Sequence, residues 1–127
     1  MSTILIVEDS AYQRAKLARL LKAEGHDLIE TANAEDGLEA LKSTKPDCIM
    51  LDLLMPGMGG LGFLKVYGER QGQAPIVVLT ADIQETTREE CMRLGARSFL
   101  NKPTKKGELL ATLETILGSI QNLGVEE

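Results

Sequence analysis

The feature that most constrains the fold is an apolar run, residues 48–51, which ends in Asp52 and is followed by a Pro56-Gly57 turn. Four consecutive apolar residues are typical of a strand buried on both faces, as strands are inside a parallel sheet. In open α/β sheets, ligands bind at the edge formed by the carboxyl ends of the strands. Asp52 is therefore the first candidate functional residue, although an Asp at this place could also serve only to cap the turn.

Four further apolar segments alternate with amphipathic ones along the chain. The patterns predict strands over residues 3–7, 27–32, 48–52, 76–80 and 97–101. They predict helices over about 11–24, 60–68, 85–94 and 105–120, and a further helix that Asn33 caps and that ends before Lys45. In the third helix, Leu61 and Leu64 are predicted to be buried, with Phe63 as a further candidate. Ser10 followed by Gln13 predicts a capping box at the first helix. Strands that alternate with helices form βαβ units, so the predicted fold is a three-layer, doubly wound α/β domain with five parallel strands.

Length and composition exclude several classes of function. The 127 residues suffice for one domain with a core, and the net charge is −5 with no basic cluster beyond Lys105-Lys106, which argues against direct nucleic-acid binding. No apolar run reaches membrane-spanning length and the first residues lack a signal sequence, which predicts a cytoplasmic protein that does not associate with membranes. Cys48 and Cys91 lie in apolar patterns, which favours reduced, packed thiols.

Polar and charged side chains follow four of the five predicted strands. In chain order they are Glu8, Asp9, Asp52, Thr80 and Lys102. Because parallel strands end at one edge of the sheet, we expect these side chains to lie together. Crowded carboxylates repel unless a cation joins them, and oxygen ligands suit Mg²⁺. A hydroxyl and an ammonium beside them suit a phosphoryl group, which a free carboxylate could accept as an aspartyl phosphate.

Four motifs give the chain a resemblance to the response regulator receiver domains of bacterial and archaeal two-component signalling. They are ILIVEDS at 4–10, LDLLMPG at 51–57, VLTA at 78–81 and FLNKP at 99–103. The resemblance covers essentially the whole chain and implies a flavodoxin-like sheet with the strand order 2-1-3-4-5. We expect a receiver domain over residues 1–122 and a short C-terminal tail over 123–127.

The resemblance implies a role for each acidic motif residue. Asp52 corresponds to the phosphoacceptor. Asp9, Asp52 and the backbone carbonyl of Leu54 are implied to bind Mg²⁺ directly, and Glu8 to reach the ion through water. Glu8 stands where the family more often has Asp, which puts the water-mediated part of the metal site in doubt.

The remaining motif residues are implied to hold the phosphoryl group and to act as a switch. Thr80 and Lys102 would bind phosphoryl oxygens, and the Lys102-Pro103 peptide bond is expected to be cis. Phe99 occupies the position of the family's aromatic switch, which turns inward when the Thr80 hydroxyl moves toward the phosphate. The family often has Tyr at this position, so a ring hydroxyl is not available here to a partner.

The function implied is a phosphorylation-activated switch rather than a conventional enzyme. A sensor histidine kinase would donate the phosphoryl group to Asp52 with Mg²⁺, and the domain would catalyse its own phosphorylation and dephosphorylation. The readout would be the surface of the fourth helix, fifth strand and fifth helix, which would dock a downstream protein or a second copy in a dimer. The chain could act alone or be the receiver of a longer regulator.

Three alternatives stand beside this interpretation. The domain could be a phosphorelay intermediate that passes phosphate to a histidine phosphotransfer domain, or a docking module that is never phosphorylated, which is disfavoured because every catalytic position is filled. Residues 57–62 also match the dinucleotide-binding pattern G-x-G-x-x-G. Residues 53–56 separate these glycines from the strand, however, and Asp52 would face an anionic pyrophosphate, so the glycines are predicted only to shape the loop.

Overall fold

Five parallel strands form one sheet in the order β2-β1-β3-β4-β5. The computed structural model describes residues 2–125, and the side chains of residues 2–118. The strands are β1 (Thr3–Val7), β2 (Asp27–Thr31), β3 (Cys48–Asp52), β4 (Ile76–Thr80) and β5 (Ser98–Asn101). The helices are α1 (Ala11–Ala23), α2 (Ala34–Ala40), α3 (Gly59–Glu69), α4 (Glu85–Arg93) and α5 (Lys106–Val125). The predicted doubly wound fold and its strand order are confirmed.

The sheet is covered by helices on both faces. Every residue of β3 and β4 is buried, as expected for central strands of a parallel sheet. Side chains alternate between the two faces and build two core layers. One layer joins the sheet to α1 and α5 through Ile4, Ile6, Met50, Val77, Leu21 and Leu113. The other joins it to α2, α3 and α4 through Leu5, Ile49, Val78, Leu38, Phe63 and Cys91.

Side-chain caps begin the first two helices where the sequence predicts them. The Ser10 hydroxyl accepts a hydrogen bond from the backbone N–H of Gln13 at 3.2 Å. The Asn33 side chain accepts one from the backbone N–H of Asp36 at 2.7 Å. Each cap satisfies a backbone donor that has no partner within its helix. As a result, α1 starts directly after the acidic residues that follow β1.

The buried face of α3 agrees with the prediction at Phe63 and Leu64 but not at Leu61. Leu61 is 41% exposed, whereas Phe63 is fully buried and Leu64 nearly so. Gly60, Phe63 and Leu64 have the i, i+3, i+4 spacing of one helical face and pack on the sheet. Leu61 lies about 100° around the helix from Gly60 and therefore faces solvent.

The last helix is longer than predicted. It continues to Val125 instead of ending near Ile120. Gly118 and Gly124 lower the helix propensity of this segment, but a glycine does not by itself end a helix. The helix therefore includes residues 123–125 of the predicted tail, while Glu126 and Glu127 lie outside the described residues. The assignment of residues 1–122 to the receiver domain stays a prediction. Within residues 2–125, no helix has both the length and the apolar character needed to cross a bilayer.

Cys48 and Cys91 are both free and buried. Burial raises the pKa of the Cys48 thiol to about 12 and that of the Cys91 thiol to about 11. The two thiols are therefore protonated at neutral pH and serve as small core side chains, as predicted.

Candidate functional site

A cleft at the carboxyl ends of the strands brings most of the predicted site residues together. Its volume is about 160 Å³. The lining residues are Glu8, Asp9, Ser10, Gln13, Asp52, Leu54, Ala81 and Lys102. Pockets for drug-sized ligands measure about 300–1,000 Å³, so this cleft fits a hydrated ion or a phosphoryl group rather than a dinucleotide. The glycines of the 57–62 segment are not among its lining residues.

Three carboxylates meet in the cleft. One oxygen each from Glu8, Asp9 and Asp52 lies within 4.8 Å of the other two. Glu8 and Asp52 are 5% and 6% exposed, whereas Asp9 is exposed. Burying like charges together costs free energy that a bound cation recovers. The donors are all oxygen atoms, which Mg²⁺ prefers, so the residues present fit this ion.

The environment of Asp52 disfavours its charged form. Burial, followed by repulsion from the Glu8 carboxylate, raises the pKa of Asp52 to about 6. The Lys102 ammonium and a hydrogen bond from the Leu54 backbone lower this pKa, but by less. Asp52 thus combines a raised pKa with a cleft location, which is typical of functional carboxylates.

The Lys102 ammonium enters the cleft from the end of β5. Its Nζ donates to Glu8 Oε1 at 2.7 Å and to Gln13 Oε1 at 2.5 Å, and lies 3.4 Å from Asp52 Oδ1. The backbone N–H of Lys102 donates to the Thr80 carbonyl at 2.7 Å, which continues the pairing of β4 with β5. The Lys102-Pro103 peptide bond is cis, as predicted.

Thr80 is buried beside the cleft rather than in its lining. Its hydroxyl accepts a hydrogen bond from the backbone N–H of Asp82 at 3.1 Å. The Asn101 side-chain amide donates to the Asp82 carbonyl at 2.9 Å, and the Asp82 carboxylate accepts from the Thr87 hydroxyl at 2.8 Å. These contacts connect the loop after β4 to β5 and α4.

Phe99 lies on the strand beside Thr80. Val78 is paired with Phe99 and Thr80 with Asn101, so the alternation of side chains puts Phe99 on the same face of the sheet as Thr80. The Phe99 ring is half-buried against the core layer that contains α3 and α4. The two predicted switch residues therefore lie on the same face of two adjacent strands, offset by two positions.

The sequence analysis did not identify Gln13, which lines the cleft, or Asn101, whose amide binds the loop beside it. The capping-box pattern predicts that the Gln13 side chain turns back to the Ser10 backbone, but the Ser10 N–H donates to Glu8 Oε2 at 3.1 Å instead. Gln13 directs its side chain to Lys102. The sequence did contain a signal for Gln13 as a site residue. Gln13 lies in the first turn of a helix, and that helix directly follows a strand that ends in predicted site residues.

Comparison with known proteins places the chain in a defined class. The family model described as response regulator receiver domain matches residues 4–114, so the chain belongs to the receiver domain family of two-component signalling. Receiver domains are regulatory partners of histidine kinases, are not conventional enzymes, and typically bind Mg²⁺ in an acidic pocket.

Individual relatives match over most of this chain. Protein PilH of Pseudomonas aeruginosa is 33% identical over 119 residues, which are 92% of this chain and 98% of PilH. Sensory/regulatory protein RpfC of Xanthomonas campestris is 36% identical over 124 residues, which are 94% of this chain but 17% of RpfC. The structure of chemotaxis protein CheY4 of Vibrio cholerae matches with a TM-score of 0.86 and 28% identity, covering 92% of this chain and 99% of CheY4. The chain is thus similar both to a whole small protein and to one part of a large one.

Proposed function

We propose that this domain is a phosphorylation-activated switch and that Asp52 accepts the phosphoryl group from a sensor histidine kinase. The observation that carries the proposal is the cleft in which the buried Asp52 carboxylate lies beside two further carboxylates and the Lys102 ammonium. Membership of the receiver family supports it. We place the domain in the cytoplasm, without direct contacts to nucleic acid.

The transfer would form a bond between a carboxylate oxygen of Asp52 and phosphorus. The bond between phosphorus and the donor atom breaks, and the leaving group keeps the electron pair and takes up a proton from water. Catalysis would consist of positioning and charge stabilisation, as in phosphoryl transfer generally. Lys102 would hold one phosphoryl oxygen, and the Thr80 hydroxyl another after it leaves the Asp82 amide.

The acidic residues of the cleft would hold Mg²⁺. Asp9, Asp52 and the backbone carbonyl of Leu54 would be direct ligands, and Glu8 would take part through water. When bound, the ion would neutralise the crowded carboxylates and the charge on the transferring phosphoryl group.

The output surface would be formed by α4, β5 and α5. Phosphorylation would shift the population of two conformations as Thr80 exchanges its partner and Phe99 turns inward. The changed surface would dock a downstream protein, a histidine phosphotransfer domain or a second copy of the domain.

Intact-mass analysis tests the proposal directly. Incubation with acetyl phosphate and Mg²⁺ should add one phosphoryl group to the wild-type protein, and none without Mg²⁺ or in Asp52→Asn. Asp27→Asn is the matched control, because Asp27 is exposed at the start of β2, far along the strands from the cleft. This control should be modified like the wild type. If acetyl phosphate adds nothing and beryllofluoride with Mg²⁺ leaves the NMR signals of Thr80 and Phe99 unchanged, the proposal is wrong.

Mg²⁺ is expected to raise the melting temperature of the wild-type protein. A ligand that binds only the folded state stabilises it by about 2.7 kcal/mol at one hundred times its Kd. Asp9→Asn should lose most of this gain, since it removes a charged ligand, whereas Asp27→Asn should keep it. Differential scanning fluorimetry at constant ionic strength measures the effect. Equal responses of Asp9→Asn and the wild type would contradict the placement of the ion.

A further inference from the structure

The Lys102 ammonium makes its shortest contact with an uncharged side chain. Among the described residues, its three hydrogen-bond acceptors are Gln13 Oε1 at 2.5 Å, Glu8 Oε1 at 2.7 Å and Asp52 Oδ1 at 3.4 Å. An ammonium group has three N–H donors, so these contacts use its whole capacity. Gln13 therefore takes part in fixing where the positive charge lies.

Gln13 differs from the other two acceptors in its chemistry. Glu8 and Asp52 belong to the carboxylate cluster that fits a cation, and a bound cation would compete with Lys102 for their oxygens. The Gln13 amide oxygen lines the same cleft, but it is neutral and therefore holds the ammonium without cancelling its charge. If a cation engaged the carboxylates, Gln13 would be the remaining contact of the three that orients Lys102.

The fold anchors the backbone of Gln13 at the start of α1, and the exposed side chain extends from there to Lys102. Its backbone N–H donates to the Ser10 hydroxyl at 3.2 Å in the first turn of α1. The next residue, Arg14, donates from its guanidinium to the Glu8 carbonyl at 2.7 Å, which ties α1 to the end of β1. A contact from a helix anchored in this way is more precise than one from a loop.

We propose that Gln13 is a positioning residue for phosphoryl transfer, which acts by holding the Lys102 ammonium beside the phosphoryl group on Asp52. The inference rests on the proposed function. It assigns a role to the Gln13 side chain, which takes no part in the helix cap. A preorganised charge lowers the barrier when it is already in place as the reaction occurs.

The rate of adduct formation from acetyl phosphate at saturating Mg²⁺ tests this role. Gln13→Met removes the acceptor at similar size and should lower the rate about 3- to 10-fold, because the ammonium loses one of the contacts that position it. In a Lys102→Met background the same change should have no further effect, because the ammonium is absent. Gln73→Met, an exposed glutamine between α3 and β4, is the matched control and should react like the wild type. An unchanged rate in Gln13→Met, or an equal fall in the Lys102→Met background, would overturn the proposal.

A second measurement needs no phosphorylation. In urea unfolding without Mg²⁺, the effects of Gln13→Met and Lys102→Met on the unfolding equilibrium constant should be non-additive by about 3- to 10-fold, as expected for directly bonded groups. Additive effects would overturn the contact itself. If the two substitutions have non-additive effects on unfolding but Gln13→Met leaves the rate of adduct formation unchanged, the positioning role is overturned. If the wild-type protein forms no adduct while the coupling persists, the failure is that of the proposed function, and the role of Gln13 falls with it.

Discussion

Replacing Asp52 with asparagine is expected to stabilise the metal-free protein at about pH 7.5 by roughly 1–3 kcal/mol, although it removes the proposed phosphoacceptor. Burial and the neighbouring Glu8 carboxylate raise the pKa of Asp52 from 3.8 to about 6. The ionised carboxylate is therefore less stable in the folded protein than in the unfolded chain. Asparagine has the same shape and no charge, so this penalty disappears.

The stability gained by Asp52→Asn should increase as the pH rises. Between pH 3.8 and about 6 the folded protein holds a proton on Asp52 that the unfolded chain releases. The contribution of Asp52 to stability consequently falls as the pH rises through this range and reaches its lowest value above it. The advantage of Asp52→Asn should be full at about pH 7.5 and nearly absent at about pH 4. Urea unfolding at a series of pH values measures it.

Two controls make this expectation specific. Asp27→Asn removes an exposed carboxylate of the same type and should leave the stability nearly unchanged at every pH. Mg²⁺ should reduce or reverse the difference, because the ion stabilises the wild-type carboxylates. If Asp52→Asn were no more stable than the wild type at neutral pH without metal, the repulsion inferred in the cleft would be refuted.

Gly60→Ala is expected to destabilise the protein by about 1–3 kcal/mol and to slow phosphorylation. A Cβ atom at Gly60 would lie 2.6 Å from the Asp52 carbonyl oxygen and 2.6 Å from Leu53 Cα. Both are backbone atoms, which cannot turn away as a flexible side chain can. The methyl group must therefore push α3 away from the end of β3, where Asp52 is located. Urea unfolding and the rate of adduct formation report the two effects.

Gly107→Ala is the matched control for this substitution. A Cβ atom at Gly107 meets nothing within 4 Å, and the residue is in the first turn of α5. Alanine there should be neutral or stabilise the helix by about 0.5–1 kcal/mol and leave the phosphorylation rate unchanged. If Gly60→Ala has the stability and the phosphorylation rate of the wild type, the prediction is wrong and α3 can shift without disturbing Asp52.

Local pattern was sufficient to locate the strands, most helices and the predicted site residues at the strand ends. Apolar runs identified β3 and β4, and the Ser10 and Asn33 caps identified two helix starts, because burial and capping depend on residues close together in the chain. The strand order came from the resemblance, since an apolar strand carries no information about which neighbour it pairs with. The prediction that Leu61 is buried was wrong for a related reason. Only the position of α3 on the sheet decides which side of the helix is buried, and the sequence of the helix does not contain that position.

The sequence by itself thus determined that Asp52, Glu8, Asp9, Thr80 and Lys102 stand at the ends of strands in a parallel α/β domain. The tertiary structure decided how these groups meet. It buries Asp52 beside Glu8, leaves Thr80 bonded to the loop after β4, and brings Gln13 to Lys102 across 89 positions of sequence. Hydrogen bonds and charge repulsion depend on distances of a few ångströms, and strand pairing with helix docking sets those distances between residues far apart in the chain.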